Sequence, residues 1–191
     1  GHRIYGTVEY VSSLNIHGAG NEIIPGPAVQ TGVDDFPVDW DIADFEPGGT
    51  YADAAIAAGK YYTHTSDWNF SGSGATIAEG LHYCEGDVQI SGAGVNGHLT
   101  VVSSDGTIHV SGSGVSFTPY VQGLSFFSNK SDTNWVIKIN GAGNLGGTAY
   151  APGGRIALEG AGGTIEGAFL GDRVKVAGSG ATINMAPVCL A

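Results

Sequence analysis

Two stretches, GAGVNG at Gly92–Gly97 and GAGNLG at Gly141–Gly146, have the spacing of a dinucleotide-binding loop. That chemistry needs the glycines to open a helix whose N-terminus cradles a pyrophosphate, with an acidic residue about 20 positions on. Strand-like sequence follows both stretches, and the sister stretches at Gly18, Gly72, Gly112, Gly160 and Gly178 lack the third glycine. The glycines therefore read as repeated chain corners, not as phosphate cradles.

Carboxylates are the next group able to do chemistry. Asp34, Asp35, Asp39, Asp41, Asp44 and Glu46 crowd one stretch and could offer hard oxygen ligands to calcium. The fixed spacing and central glycine of a calcium loop are missing. A solvated loop whose Phe36, Trp40, Ile42 and Phe45 dock on the rest of the chain is the simpler reading. Asp67 and Asp87 stand at one repeat position, five residues before a corner glycine. Stacked carboxylates are what a polysaccharide-cleaving site would need. Their column also holds Ser13, Thr107, Val136, Arg155 and Arg173, so nothing else converges on them. No HxxH or HExxH spacing joins any of the six histidines, and neither CxxC nor GxSxG occurs. The chain is expected to have no catalytic residues and no cofactor. The Thr-x-Thr ladder of an ice-binding surface is absent as well.

Cys84 and Cys189 hold similar places in their repeats, five repeat steps apart. At ~4.8 Å per step that is roughly 24 Å, beyond the ~7 Å between Cα atoms that a disulfide tolerates. An intrachain bond would need the tail MAPVCLA to fold back. The alternatives are buried free thiols or a bond between chains.

What must position these residues is a repeat. The first glycines of the corner motifs, Gly18, Gly72, Gly92, Gly112, Gly141, Gly160 and Gly178, are separated by 54, 20, 20, 29, 19 and 18 residues. A period of this size marks a solenoid. Two residues before each corner stand Ile16, Phe70, Ile90, Val110, Ile139, Leu158 and Val176; four before stand Leu14, Trp68, Val88, Ile108, Ile137, Ile156 and Val174. The positions between them hold Asn, Gln, His, Lys or Ala, which is the period-2 alternation of half-buried strands. A further apolar column lies five residues after the corner, at Ile23, Ile77, Phe117, Ile165 and Ile183, and is broken at Gly97 and Gly146.

The pattern predicts an all-β fold: a parallel, right-handed β-helix of about seven or eight coils, forming a single domain over residues 1–191. It is expected to begin near the N-terminus, because GTVEYVSSLNIHGAG (Gly6–Gly20) echoes GTAYAPGGRIALEGAG (Gly147–Gly162). Residues 26–66 are expected to be an inserted acidic loop plus one short helix, with Thr50 as N-cap, Asp53 at the capping-box position and Gly59 as the stop. Residues 124–135 are expected to form a surface loop.

The surface is acidic, with a net charge of −11 from only seven Lys and Arg, so nucleic acid and anionic membrane are poor partners. No run approaches the ~18 apolar residues of a membrane span. With 42% hydrophobic residues the chain can build a core.

From Asp44 onward the chain resembles bacterial surface proteins found near tight-adherence (Tad) pilus assembly. The resemblance rests on GDVQISGAG, FTPYVQGLSFFS, GTAYAPGGRIALEGAG and GDRVKVAGSGATINM, in that order. More distantly the chain is similar to bactofilin-like polymer-forming β-helices, which have shorter coils and fewer glycine corners. The resemblance implies a non-enzymatic, extracellular or cell-surface element, structural or adhesive. Its partners would be further copies of itself or other appendage subunits. The alternative is a polysaccharide-binding module using Trp40, Tyr61, Tyr62 or Trp135, or a polysaccharide-active enzyme.

Overall fold

The alternating columns close into a stack because no single coil can bury its own apolar face. A computed structural model describes residues 3–5, 9–10, 14–16, 22–24, 29–30, 40–179 and 181–185. The N-terminal strands are β1 (Arg3–Tyr5), β2 (Glu9–Tyr10), β3 (Leu14–Ile16), β4 (Glu22–Ile24) and β5 (Val29–Gln30). A 3-10 turn (Ile42–Phe45) and α1 (Thr50–Ala57) come next. The remaining strands are β6 (Tyr61–His64), β7 (Trp68–Ser71), β8 (Gly80–Cys84), β9 (Val88–Ser91), β10 (Asn96–Ser103), β11 (Ile108–Thr118), β12 (Leu124–Ser128), β13 (Trp135–Gly146), β14 (Thr148–Ala161), β15 (Thr164–Gly167), β16 (Phe169–Ser179) and β17 (Thr182–Met185). The result is an all-β parallel solenoid of about six turns, one or two fewer than the repeat count predicted. The six corners from Gly72 to Gly178 account for these turns, and the seventh, Gly18, lies outside the described residues.

From residue 60 the chain winds coil upon coil, and each coil has three sides. The first side stacks β6, β8, the end of β10, β12 and the starts of β14 and β16. The second stacks β7, β9 and the first halves of β11 and β13, followed by the later parts of β14 and β16. The third carries the start of β10, the ends of β11 and β13, then β15 and β17. On the second side the inward column runs Phe70, Ile90, Val110, Ile139, Leu158, Val176 in unbroken register, as the alternation predicts. On the third side the shift in β11–β13 register places Leu145, not Gly146, beside Phe117. At Gly97 the missing side chain is replaced by Leu99, whose Cδ2 occupies the space a Cβ would need.

The corner glycines lie one above another, Gly112 beside Gly141 and Gly160 beside Gly178. Gly92 and Gly112 have φ of +132° and +134°. A Cβ on Gly112 would fall inside the carbonyl oxygen of Gly92, and one on Gly92 inside that of Gly72. Both the backbone angle and the close approach of the coil below therefore demand glycine. Gly18 lies outside the described residues.

Coil order departs from chain order at one place. β3 pairs in parallel with β16, and β1 with β17, so the N-terminal strands stack beyond the last coil, not before the first. β4 in turn pairs with β1, and β2 with β5. The segment from Trp40 to Gly59 returns along the outside of the first side. Trp40 packs edge-on against Tyr150, Phe45 against Phe127, and the Tyr83 hydroxyl donates to Glu46 at 2.7 Å. This strap reaches coil 1 through α1, which buries Ala52 and Ala55. The helix starts at Thr50 with Gly49, not Thr50, as its cap, and Asp53 accepts the Gly48 N–H. It stops at Gly59, φ +67°, where Lys60 N–H bonds to Ala55 and Gly59 N–H to Ile56.

Two predicted boundaries change. The insertion ends at Gly59, because Tyr61–His64 is already the first strand of coil 1, and β5 falls within its early part. Within the predicted loop 124–135, Leu124–Ser128 is a fully buried strand. Phe126 faces the solenoid interior, while Leu124 and Phe127 face the strap. A strand covered on both faces loses the alternation that marks the second side.

Candidate functional site

Residues with chemical potential are held mostly at coil corners, where they bond one coil to the next. Asp67 Oδ1 accepts the Asp87 N–H at 2.9 Å, and Asp87 Oδ1 accepts both the N–H and the hydroxyl of Thr107 at 2.7 and 3.0 Å. The Thr107 bonds hold the Asp87 carboxyl below its ordinary range. The stacked carboxylates are thus caps on exposed turns. A second ladder lies just inside, where Cys84, Ser103 and Ser128 share a register. The Cys84 thiol donates to the Ser66 carbonyl at 3.2 Å; the Ser103 and Ser128 hydroxyls donate to Gly86 and Gly106, each at 2.8 Å. Cys84 is a free, fully buried thiol, and burial raises its pKa, which makes it a poor nucleophile. A bond from this sulfur to another chain would require the coil to open. Cys189 lies outside the described residues.

Of the calcium candidates, Asp34, Asp35 and Asp39 also lie outside the described residues. Asp41 accepts the Ala43 N–H and caps the 3-10 turn, Glu46 receives the Tyr83 hydroxyl, and Asp44 sits in the first turn. Among the described residues no three acidic, histidine or cysteine side chains converge as a metal site. Both GxGxxG stretches run into strands, β10 and the end of β13, so no helix N-terminus is offered to a phosphate. The aromatic residues considered for sugar binding are scattered. Trp40 is buried where the strap meets Tyr150, Tyr61 donates to the Phe45 carbonyl, Tyr62 stacks on His82, and Trp135 lies under the Lys175 ammonium.

Sequence reasoning missed a cluster at the coil 1 end of the stack. The His64 and His82 rings both lie against the Trp68 indole, at centroid distances of 4.3 and 4.8 Å, and Tyr62 covers His82 at 4.6 Å. His82 Nδ1 meets His64 Nε2 at 3.4 Å, while its Nε2 bonds to the Ala78 carbonyl at 2.8 Å. Burial lowers the His82 pKa to about 4 and lowers that of His64 too. A signal was present in the sequence. Tyr62, Trp68 and Phe70 are aromatic at positions that the neighbouring coils fill with His82, Val88 and Ile90.

The outer surface of the third side is polar over the first three coils. Thr76, Asn96, Ser116, Thr118, Glu79 and His98 line an open groove of about 480 Å³ there. Glu79 accepts from Lys60 Nζ at 2.8 Å and contacts His98 Nδ1 at 3.1 Å, and these bonds lower its pKa. No helix among the described residues is long and apolar enough to cross a membrane. Comparison with protein-family models, with curated proteins and with solved structures gave no match.

Proposed function

We propose that this chain is a non-enzymatic, extracellular structural or adhesive β-solenoid of a bacterial surface appendage, and that it associates with further copies of itself. One observation carries the reading. The polar side chains best suited to chemistry, Asp67, Asp87 and Cys84, make coil-to-coil bonds together with Ser103 and Ser128, and so serve to stiffen a rod. The sequence resemblance to Tad-associated surface proteins points the same way. The test is immunolabelling of intact bacterial cells that express the chain, compared with lysed cells. Labelling of intact cells at the appendage is expected; labelling only after lysis would remove the surface role.

The groove on the third side favours a second reading, a polysaccharide-binding module. Thr76, Asn96 and Ser116 stack there on successive coils, at ~4.8 Å per step, with the Glu79 carboxylate beside them. Binding on a glycan array that is lost in Asn96→Ala would select this reading.

A further inference from the structure

Coil 1 ends the stack differently from the coil at the opposite end. Among the described residues its strands β6 and β7 each pair on one side only, with β8 and β9. Its inward side chains Tyr62, His64, Trp68 and Phe70 are half-buried, whereas their counterparts His82, Cys84, Val88 and Ile90 are buried. The backbone of this edge is open as well. Trp68 and Gly72 give their N–H groups to Asp87 and Ser91, and Lys60 and His64 give their carbonyls to Leu81 and Glu85. Strand alternation then turns the N–H and C=O of Tyr61, Thr63, Asn69 and Ser71 away from coil 2. Edge strands are ordinarily blunted by lysine, proline or a bulge. Neither YYTH nor WNFS contains lysine or proline.

Within this chain, a coil end is covered by strands that do not follow it in sequence. β1 and β3 stack in parallel register on β17 and β16, although they come from the opposite end of the chain. Stacking therefore does not require chain continuity. Among the described residues the outermost strands there, β3 and β4, also pair on one side only. Among the described residues every coil-to-coil pairing is parallel, and the corners stack glycine on the carbonyl of the glycine below. Gly72 holds the corner position at the open edge, its carbonyl against Gly92.

We infer that coil 1 is a docking face for a second copy of this chain, which stacks head to tail with its N-terminal strands β3 and β4 continuing the parallel ladder. A head-to-head contact would set the strands antiparallel and lose the glycine register. Head-to-tail stacking does not close on itself, so it makes filaments. The inference rests on the self-association in the proposed function and names its face and polarity.

The experiment is sedimentation velocity and negative-stain microscopy of the purified full chain over rising concentration, with Asn69→Pro and Thr63→Pro. Both variants remove an N–H that faces the free edge and serves no bond to coil 2. The expected result is an open series of oligomers for the parent chain. Each variant should associate at least about tenfold more weakly, the effect of losing ladder bonds, with circular dichroism and melting unchanged. A parent chain that stays monomeric, or stops at a closed dimer, overturns the inference whatever the variants do. So does undiminished assembly of folded variants. If a variant does not fold, the parent's oligomer series still decides. Assembly in solution with labelling only of lysed cells would sink the surface role and leave this face standing; the reverse pair of results would sink the face alone.

Discussion

The first and second sides of the solenoid use the same strand pairing but bury it differently. Along β9, β11 and β13 on the second side the inward residues are buried and those between them are not. Ile90, Val110 and Ile139 are buried while Gln89, His109 and Lys138 alternate with them at the surface. On the first side the strap covers the outer face too, so β8 and β12 are buried at every residue. One side depends on the interior alone, the other on the interior and a separate segment of chain. Damage to the second side should therefore act through the coil stack, and damage to the outer face of the first through detachment of the strap.

The largest effect is expected at the corners, which both sides need. Gly112→Val brings a β-branched side chain to φ +134° and into the Gly92 carbonyl. Strain and clash together should cost upwards of about 3 kcal/mol, read as a fall in melting temperature; a melt that matches the parent would refute the corner assignment. Next come two truncations that separate the layers. Phe127→Ala removes a ring that packs between Phe45 and Tyr150 and should cost about 3–5 kcal/mol. Ile139→Ala opens the interior ladder and should cost about 2–5 kcal/mol. Limited proteolysis sharpens the contrast. The Phe127 variant should be cut first around residues 40–59, and the Ile139 variant should show no such preference.

A smaller effect is expected on acidification. The fold holds His82 neutral with its pKa lowered to about 4, from 6.5. Between those values the unfolded chain binds more protons than the folded one, so this stability is complete above pH 6.5 and is lost as the pH falls toward 4. The full loss is roughly 3 kcal/mol from this group, and His64 adds in the same direction. His82→Gln should flatten the dependence of unfolding free energy on pH in that window; an unchanged slope would show that the ring is solvated. The smallest effect is expected for Cys84→Ser. The new hydroxyl would join Ser103 and Ser128 in donating to a corner carbonyl, and stability should change by less than about 1.5 kcal/mol, the scale of one hydrogen bond. A large loss would mean that the site needs the apolar bulk of sulfur.

The same contrast explains what could be read in the sequence. The second side was legible down to its register, because one wet face and one dry face impose period 2 on Ile90–Val110–Ile139. The corners were legible because each coil's carbonyl leaves no room for a side chain in the next. LSFFS in β12 was not legible, since a strand dry on both faces looks like any apolar run. The position of β1 and β3 at the far end was hidden as well. Repeat similarity gives the shape of a coil and says nothing of which coil lies beside it. Asp67 and Asp87 were visible as a column, but only the direction of their oxygens, toward Asp87 and Thr107 N–H, makes them caps. The His64–His82–Trp68 stack joins side chains from two sides of the coil, and a column-by-column reading cannot bring them together.

The stacking of β1 and β3 on the last coil also sets the order in which the molecule can be completed. A ribosome delivers these strands first, yet the edges that receive them, Val174–Val176 and Thr182–Asn184, are delivered last. Until then β1 and β2 can pair only with the early strands β4 and β5, and β3 waits for β16. The coils between can wind up one after another through local contacts as they emerge. The final step joins segments separated by nearly the whole chain, and its loop-closure entropy makes it the slow one. A chain interrupted before β16 would hold finished coils and an unplaced N-terminus.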